Sequence, residues 1–189
     1  MQASVTPWLI AGWLSESLWQ LLFALETRLS LAFCAPVLIF GAFAFIRALL
    51  ACGDVPDSPL TVARFLLVTS TAINAAWVTV AASLAVLVAL AASFQASLTP
   101  VAAALAVVVA AIGATITLRA GTTAYSLTLL WAFWGVHSKH ANGQLVDVLA
   151  LGCSLLFAVL SVAVAARNML RARQPRGDAA ADGESLLHD

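Results

Sequence analysis

Six apolar runs separated by short polar breaks fill the chain from residue 8 to residue 167. They cover residues 8–25, 30–50, 63–90, 99–118, 122–138 and 145–167. A helix needs roughly 17–25 predominantly apolar residues to cross a bilayer. The run 63–90 is long enough to cross with tilt, and 122–138 lies at the short end. In lipid such a run can satisfy its backbone only as a helix. The breaks carry turn chemistry. Glu26 and Arg28 follow the first run, and Arg119 and Gly121 follow the fourth. Residues 51–61 hold two prolines, a glycine and two aspartates, the strongest loop signal in the chain. The pattern predicts an all-α fold: a polytopic transmembrane helix bundle of about six spans over residues 1–168, followed by a disordered cytoplasmic tail at 169–189.

The fifth run departs from plain lipid-filling composition. Trp131 and Trp134 fall on one helical face, Gly135 follows, and His137 continues that face. Other helices bring polar groups to similar depth. Glu16 lies halfway along the first run, and Trp13, Glu16 and Gln20 share a face. A charge at the bilayer centre costs roughly 2.5–3.5 kcal/mol even on lenient insertion scales. Glu16 is therefore expected to face the bundle, protonated or paired. In the third run Thr69, Ser70, Thr71 and Asn74 cluster, and Trp77 continues the Asn74 face. With a rise of ~1.5 Å per residue, Glu16, Asn74 and Trp131 lie about 12–16 Å from the same membrane edge. Gln20, Trp77 and Trp134 come about one turn further on. Together these six residues make a candidate ligand-binding layer. Structural glue between helices is the competing account of the Thr69–Asn74 polar groups, and Trp8 reads as an interfacial anchor.

Composition and charge narrow the class. The chain is 62% hydrophobic and 10% charged, against about 25% charged in soluble domains, which makes it an integral membrane protein. Its net charge is zero, so no nucleic-acid partner is expected. No basic residue precedes the first apolar run, so no cleavable signal peptide is expected. Placing the N-terminus in the cytoplasm puts Arg47, Arg64, Arg119, Arg167, Arg171, Arg173 and Arg176 inside and only Arg28 and Lys139 outside. That bias predicts both termini cytoplasmic. Cys34, Cys52 and Cys153 show no paired spacing and read as small apolar residues.

Candidate chemistry is sparse. His137 and His140 have H-x-x-H spacing with Asp147 nearby, which a metal can use, but they fall at the membrane edge. No Ser-His-Asp order, phosphate loop or carboxylate pair supports catalysis, so no enzyme, metal or cofactor is expected. Asp182 to Leu187 fits the acidic dileucine pattern D-x-x-x-L-L.

Three segments carry a family resemblance. Asn74-Ala75-Ala76-Trp77 resembles the N-x-x-W of the third helix in the TspO/MBR family, the tryptophan-rich sensory and translocator proteins. Trp131 to Val136, WAFWGV, resembles the W-A-x-x-G-I of a more divergent TspO-like group, and Trp19 to Phe23 fits an early helix of that group. The W-x-P-P motif of the sensory proteins is absent. The resemblance implies a helical bundle with an aromatic-lined pocket for a porphyrin, a sterol or a similar flat hydrophobic molecule, with Asn74, Trp77, Trp131, Trp134 and Gly135 matching. Two functions stay open. One is a bundle that binds or moves such a ligand, which needs the tryptophan and polar faces turned inwards. The other is a structural subunit packed in a larger homo- or hetero-oligomeric complex, which allows them on the outer surface.

Overall fold

All six apolar runs form α-helices; most ends lie close to those the pattern predicts, but the first helix begins at Gln2 rather than at residue 8 and the last ends at Arg173 rather than at 167. The computed structural model describes residues 2–53, 62–93, 97–139 and 145–173. The helices are α1 (Gln2–Ala24), α2 (Arg28–Gly53), α3 (Val62–Ser93), α4 (Thr99–Ala120), α5 (Thr123–Lys139) and α6 (Leu145–Arg173). α6 continues past the expected boundary at residue 168, because Asn168, Met169, Leu170 and the arginines around them can all extend a helix at little cost. The acidic dileucine pattern and His140 lie outside the described residues.

Two tight corners have local causes. Between α1 and α2, Glu26 adopts a left-handed backbone with φ 51°. Thr27 then caps α2: the Ser30 backbone N–H donates to Thr27 Oγ1 at 3.0 Å, and the Thr27 N–H donates to Ser30 Oγ at 3.1 Å. This reciprocal pair satisfies two donors that a helix start leaves orphaned. Between α4 and α5, Gly121 sits at φ 63° and donates its N–H to the Thr117 carbonyl at 3.0 Å, the left-handed helix stop that glycine makes without strain.

Four helices, α2, α3, α4 and α6, are long and apolar enough to cross a membrane by length and composition. The expectation of about six spans is met by this measure for four of the six helices. α1 falls short because Ser15, Glu16, Ser17 and Gln20 dilute its apolar run. α5 has only 17 residues, among them two tryptophans, a histidine and a lysine.

α2 packs against α1 and α3, α5 against α6 and α3, and α4 against α6. Tyr125, Phe45, Phe157, Leu38, Leu49 and Leu129 are fully buried between them. In a bilayer, side-chain fit rather than water exclusion holds such helices together. Small residues permit the fit. The buried face of α3 is mostly alanine, with Thr71, Val78 and Thr79. Buried hydroxyls add cross-links: Thr79 Oγ1 stands 3.3 Å from the Tyr125 hydroxyl, and Ser161 Oγ stands 2.8 Å from Ser126 Oγ.

Candidate functional site

Because α3 buries its alanine face, residues at i, i+4 and i+8 on another side, Thr69, Ile73 and Trp77, are left bordering the surface. On α5, Tyr125, Ser126, Leu129 and Phe133 are buried, and Leu127 and Trp131 point outward. The two outward rows face each other across a lateral groove of about 620 Å³. Trp77 and Trp131 both line it and pack on each other, with ring centroids 5.8 Å apart and planes at 36°, so that they form one continuous aromatic surface. Its hydroxyls are those of Thr69 and Thr128, and the Thr128 hydroxyl is already committed to the Ala124 carbonyl at 2.9 Å. The groove is therefore apolar, without a charged side chain in its lining.

Trp77 also borders a second hollow. A recess of about 220 Å³ lies towards α1 and α2, lined by Trp19, Phe23, Cys34, Trp77 and Leu84 among others. Trp19 and Phe23 form their own ring pair at 5.8 Å. Trp77 thus stands as a partition between the two spaces. Inside the bundle, between α3, α4, α5 and α6, the cavity holds only about 70 Å³, and neither Glu16 nor any tryptophan lines it. That volume is far below the ~300–1,000 Å³ of typical ligand pockets, whereas the lateral groove falls within that range.

Of the six residues the sequence singles out, the structure brings Trp77 and Trp131 together. Trp134 lies outside the groove lining and packs on His137 at 5.5 Å between ring centroids. His137 Nδ1 in turn pairs with the Asp147 carboxylate at the start of α6. Asn74 donates from Nδ2 to the Ser70 carbonyl of its own helix at 2.9 Å. Gln20 is exposed on α1, and Glu16, half-buried there, makes no hydrogen bond or ion pair among the described residues. The tryptophans do not turn inwards: Trp77 is 44% exposed, Trp131 63% and Trp134 53%. Among the described residues no cluster of three or more His, Cys, Asp or Glu side chains could hold a metal.

Sequence reasoning missed Trp19, Thr69 and Ile73 as lining. The i, i+4, i+8 spacing of Thr69, Ile73 and Trp77 was visible, but only the burial of the opposite α3 face shows that this row borders a hollow. Chemically, the groove offers wide aromatic walls open to the side of the bundle. A flat apolar molecule could enter it from lipid and lie against the two indoles without crossing a polar barrier.

The sequence matches the family model described as TSPO-like protein over residues 1–164. No curated protein and no solved structure matches the chain.

Proposed function

The chain belongs to the TSPO-like protein family, and from that premise we propose that it binds a flat, hydrophobic, ring-containing molecule of porphyrin or sterol type in the lateral groove between α3 and α5. The observation that carries this reading is the Trp77–Trp131 pair walling an apolar space of about 620 Å³. Each aromatic ring pair adds about 0.5–1.5 kcal/mol beyond area burial, so the exposed faces of the two packed indoles favour a planar ring over a flexible chain. The ligand reaches the groove through the bilayer, and Trp19 and Phe23 extend the aromatic surface on the far side of Trp77.

We also propose that α1 and α5 cross the membrane with the other four helices. The two termini then share the cytoplasmic side, as the arginine distribution favours.

The test is a titration of the purified chain in detergent with a porphyrin, read by tryptophan quenching and by the porphyrin's own absorbance. Trp131→Leu should weaken binding several-fold. Trp13→Leu is the control, since Trp13 packs on Phe45 rather than in the groove. Equal affinity in all three proteins, or no saturable binding, would remove the ligand reading. The exposure of Trp131 and Trp134 supports a second reading, in which this aromatic face packs against another membrane protein. A photo-crosslinker at position 134 that captures a defined partner, together with absent porphyrin binding, would favour it.

A further inference from the structure

At the end of the bundle where α2, α4 and α6 finish, three basic side chains and a fourth beside them converge on one hollow. It measures about 520 Å³ and is lined by Arg47, Arg119, Gly121, Arg167, Asn168 and Arg171 among others. Among the described residues no carboxylate lines it.

Capping of the neighbouring helix ends uses only part of the donor capacity of these arginines. Arg167 reaches the Leu118 carbonyl with Nη1 at 3.4 Å, but its Nε is buried without a hydrogen-bond partner. Arg119 and Arg171 make no hydrogen bond or ion pair among the described residues. Arg47 lies over the Trp8 ring at 5.8 Å, which steadies it at the rim. The backbone is shaped around this cluster. Gly121 lies so close to Arg167 that a Cβ there would stand 2.8 Å from Nη2. Asn168 fastens α6 to the α4–α5 corner by donating from Nδ2 to the Gly121 carbonyl at 2.9 Å. Four like charges drawn into one hollow repel each other unless an anion joins them.

Depth identifies the setting. Counted at ~1.5 Å per residue from the far ends of their helices, Arg47, Arg119 and Arg167 lie about 28–33 Å away, close to the ~30 Å thickness of a bilayer's hydrocarbon core. The cluster therefore sits at headgroup level. Guanidinium groups bind phosphate oxygens in bidentate fashion, and basic hollows between membrane helices suit anionic headgroups. We infer that this hollow is a binding site for a phosphate-bearing anion, with the headgroup of an anionic phospholipid as its source. The inference stands apart from the lateral groove and shares no residue with it.

The experiment reconstitutes the full chain in phosphatidylcholine bilayers and compares spin-labelled phosphatidylglycerol with spin-labelled phosphatidylcholine of the same chains. The motionally restricted fraction should favour phosphatidylglycerol several-fold. Arg119→Gln with Arg171→Gln should bring that preference close to one, whereas Lys139→Gln, at the other end of α5, should leave it unchanged. Should the double Gln variant fail to fold, Arg119→Lys with Arg171→Lys keeps the charge and should still lower the preference, because an ammonium cannot form the bidentate fork. Inorganic phosphate, added against chloride at matched ionic strength, separates the sources: displacement of the lipid signal identifies free phosphate as a competent ligand, and persistence identifies the lipid. The proposal is overturned by equal restriction of both lipids in the native protein, by an unaltered preference in the Lys pair, or by an equal loss in Lys139→Gln. A preference that emerges only in Asp54→Asn with Asp57→Asn would also overturn it, since the chain's own carboxylates would then be the occupant.

Discussion

Tyr125 and Glu16 show that polar side chains at depth can have opposite roles in one bundle. Tyr125 is fully buried, and its hydroxyl lies 3.3 Å from Thr79 Oγ1, which also donates to the Ala75 carbonyl of its own helix. Tyr125→Phe removes the link between α3 and α5 but leaves Thr79 satisfied by its own helix. The expected loss is small, about 0.6 kcal/mol and at most about 1.7 by the measured range for such bonds in membranes. A thermal-unfolding midpoint in detergent that falls by only a few degrees would agree, and a collapse of folding would show that the hydroxyl holds more than Thr79. Glu16 was expected to face the bundle, protonated or paired. It is half-buried on α1 and has no partner among the described residues. Glu16→Leu should therefore keep or raise thermal stability, because no buried acceptor is orphaned by the change. A clear drop would mean that Glu16 holds a partner in the membrane after all.

At the level of the element, α4 is a close-packing helix. Its sequence is rich in alanine and carries Gly113, and such small side chains let neighbouring helices come near. A Cβ on Gly113 would lie 2.4 Å from Leu129 Cδ1 and 2.7 Å from Phe157 Cζ. Leu129 can shift its tip, but Phe157 is stacked on Phe133 with an interplanar angle of 10° and has little freedom. Gly113→Ala should destabilise the bundle by about 1–3 kcal/mol, as overpacking does. Gly135→Ala is the contrast, since nothing lies within 4 Å of a Cβ at that position. The paired thermal midpoints measure the difference, and equal midpoints would contradict the packing shown. α5 and α6 have a further fastening in the His137–Asp147 pair. Asp147 is buried in the first turn of α6, where a helix N-terminus favours a negative charge. His137→Leu would take away the carboxylate's imidazole partner and should lower stability by about 1–3 kcal/mol, with Ser138→Ala as an exposed neighbour control.

For the whole molecule, the arrangement of helix ends makes topology testable. If all six helices cross, Lys139 and the end of α6 lie on opposite sides. Lys139→Cys should then react with an impermeant thiol reagent added from the side opposite the termini. Lys139 is exposed and Cys34 and Cys52 are buried; Cys153 is only half-buried, so Cys153→Ala is introduced first and the engineered thiol then dominates the signal. If α1 or α5, the helices whose composition falls short, does not cross, the two termini fall on opposite sides and the thiol is labelled from the side of the N-terminus.

Membership of the membrane class, the helical fold and the helix boundaries follow from the sequence by itself, because in lipid every backbone amide must be satisfied within its own segment. An apolar run between Glu26-type and Gly121-type breaks therefore has one solution, and it is local. The sequence also brought Trp77 and Trp131 to within about one turn of each other in depth, since depth is only residue count multiplied by rise. What it could not determine is azimuth, the direction in which each helix turns its faces. That direction is decided by which neighbour offers the closer fit. The alanine face of α3 goes inward because small side chains let helices approach, and Trp77 is left at the surface as a consequence. For the same reason the hollow between α3, α4, α5 and α6 holds only about 70 Å³, and a larger one opens to the side, between α3 and α5. The convergence of Arg47, Arg119, Arg167 and Arg171 was legible as a charge bias on one side of the membrane. Their meeting in one hollow depended on α2, α4 and α6 being packed side by side, which residues so far apart in the chain do not encode locally.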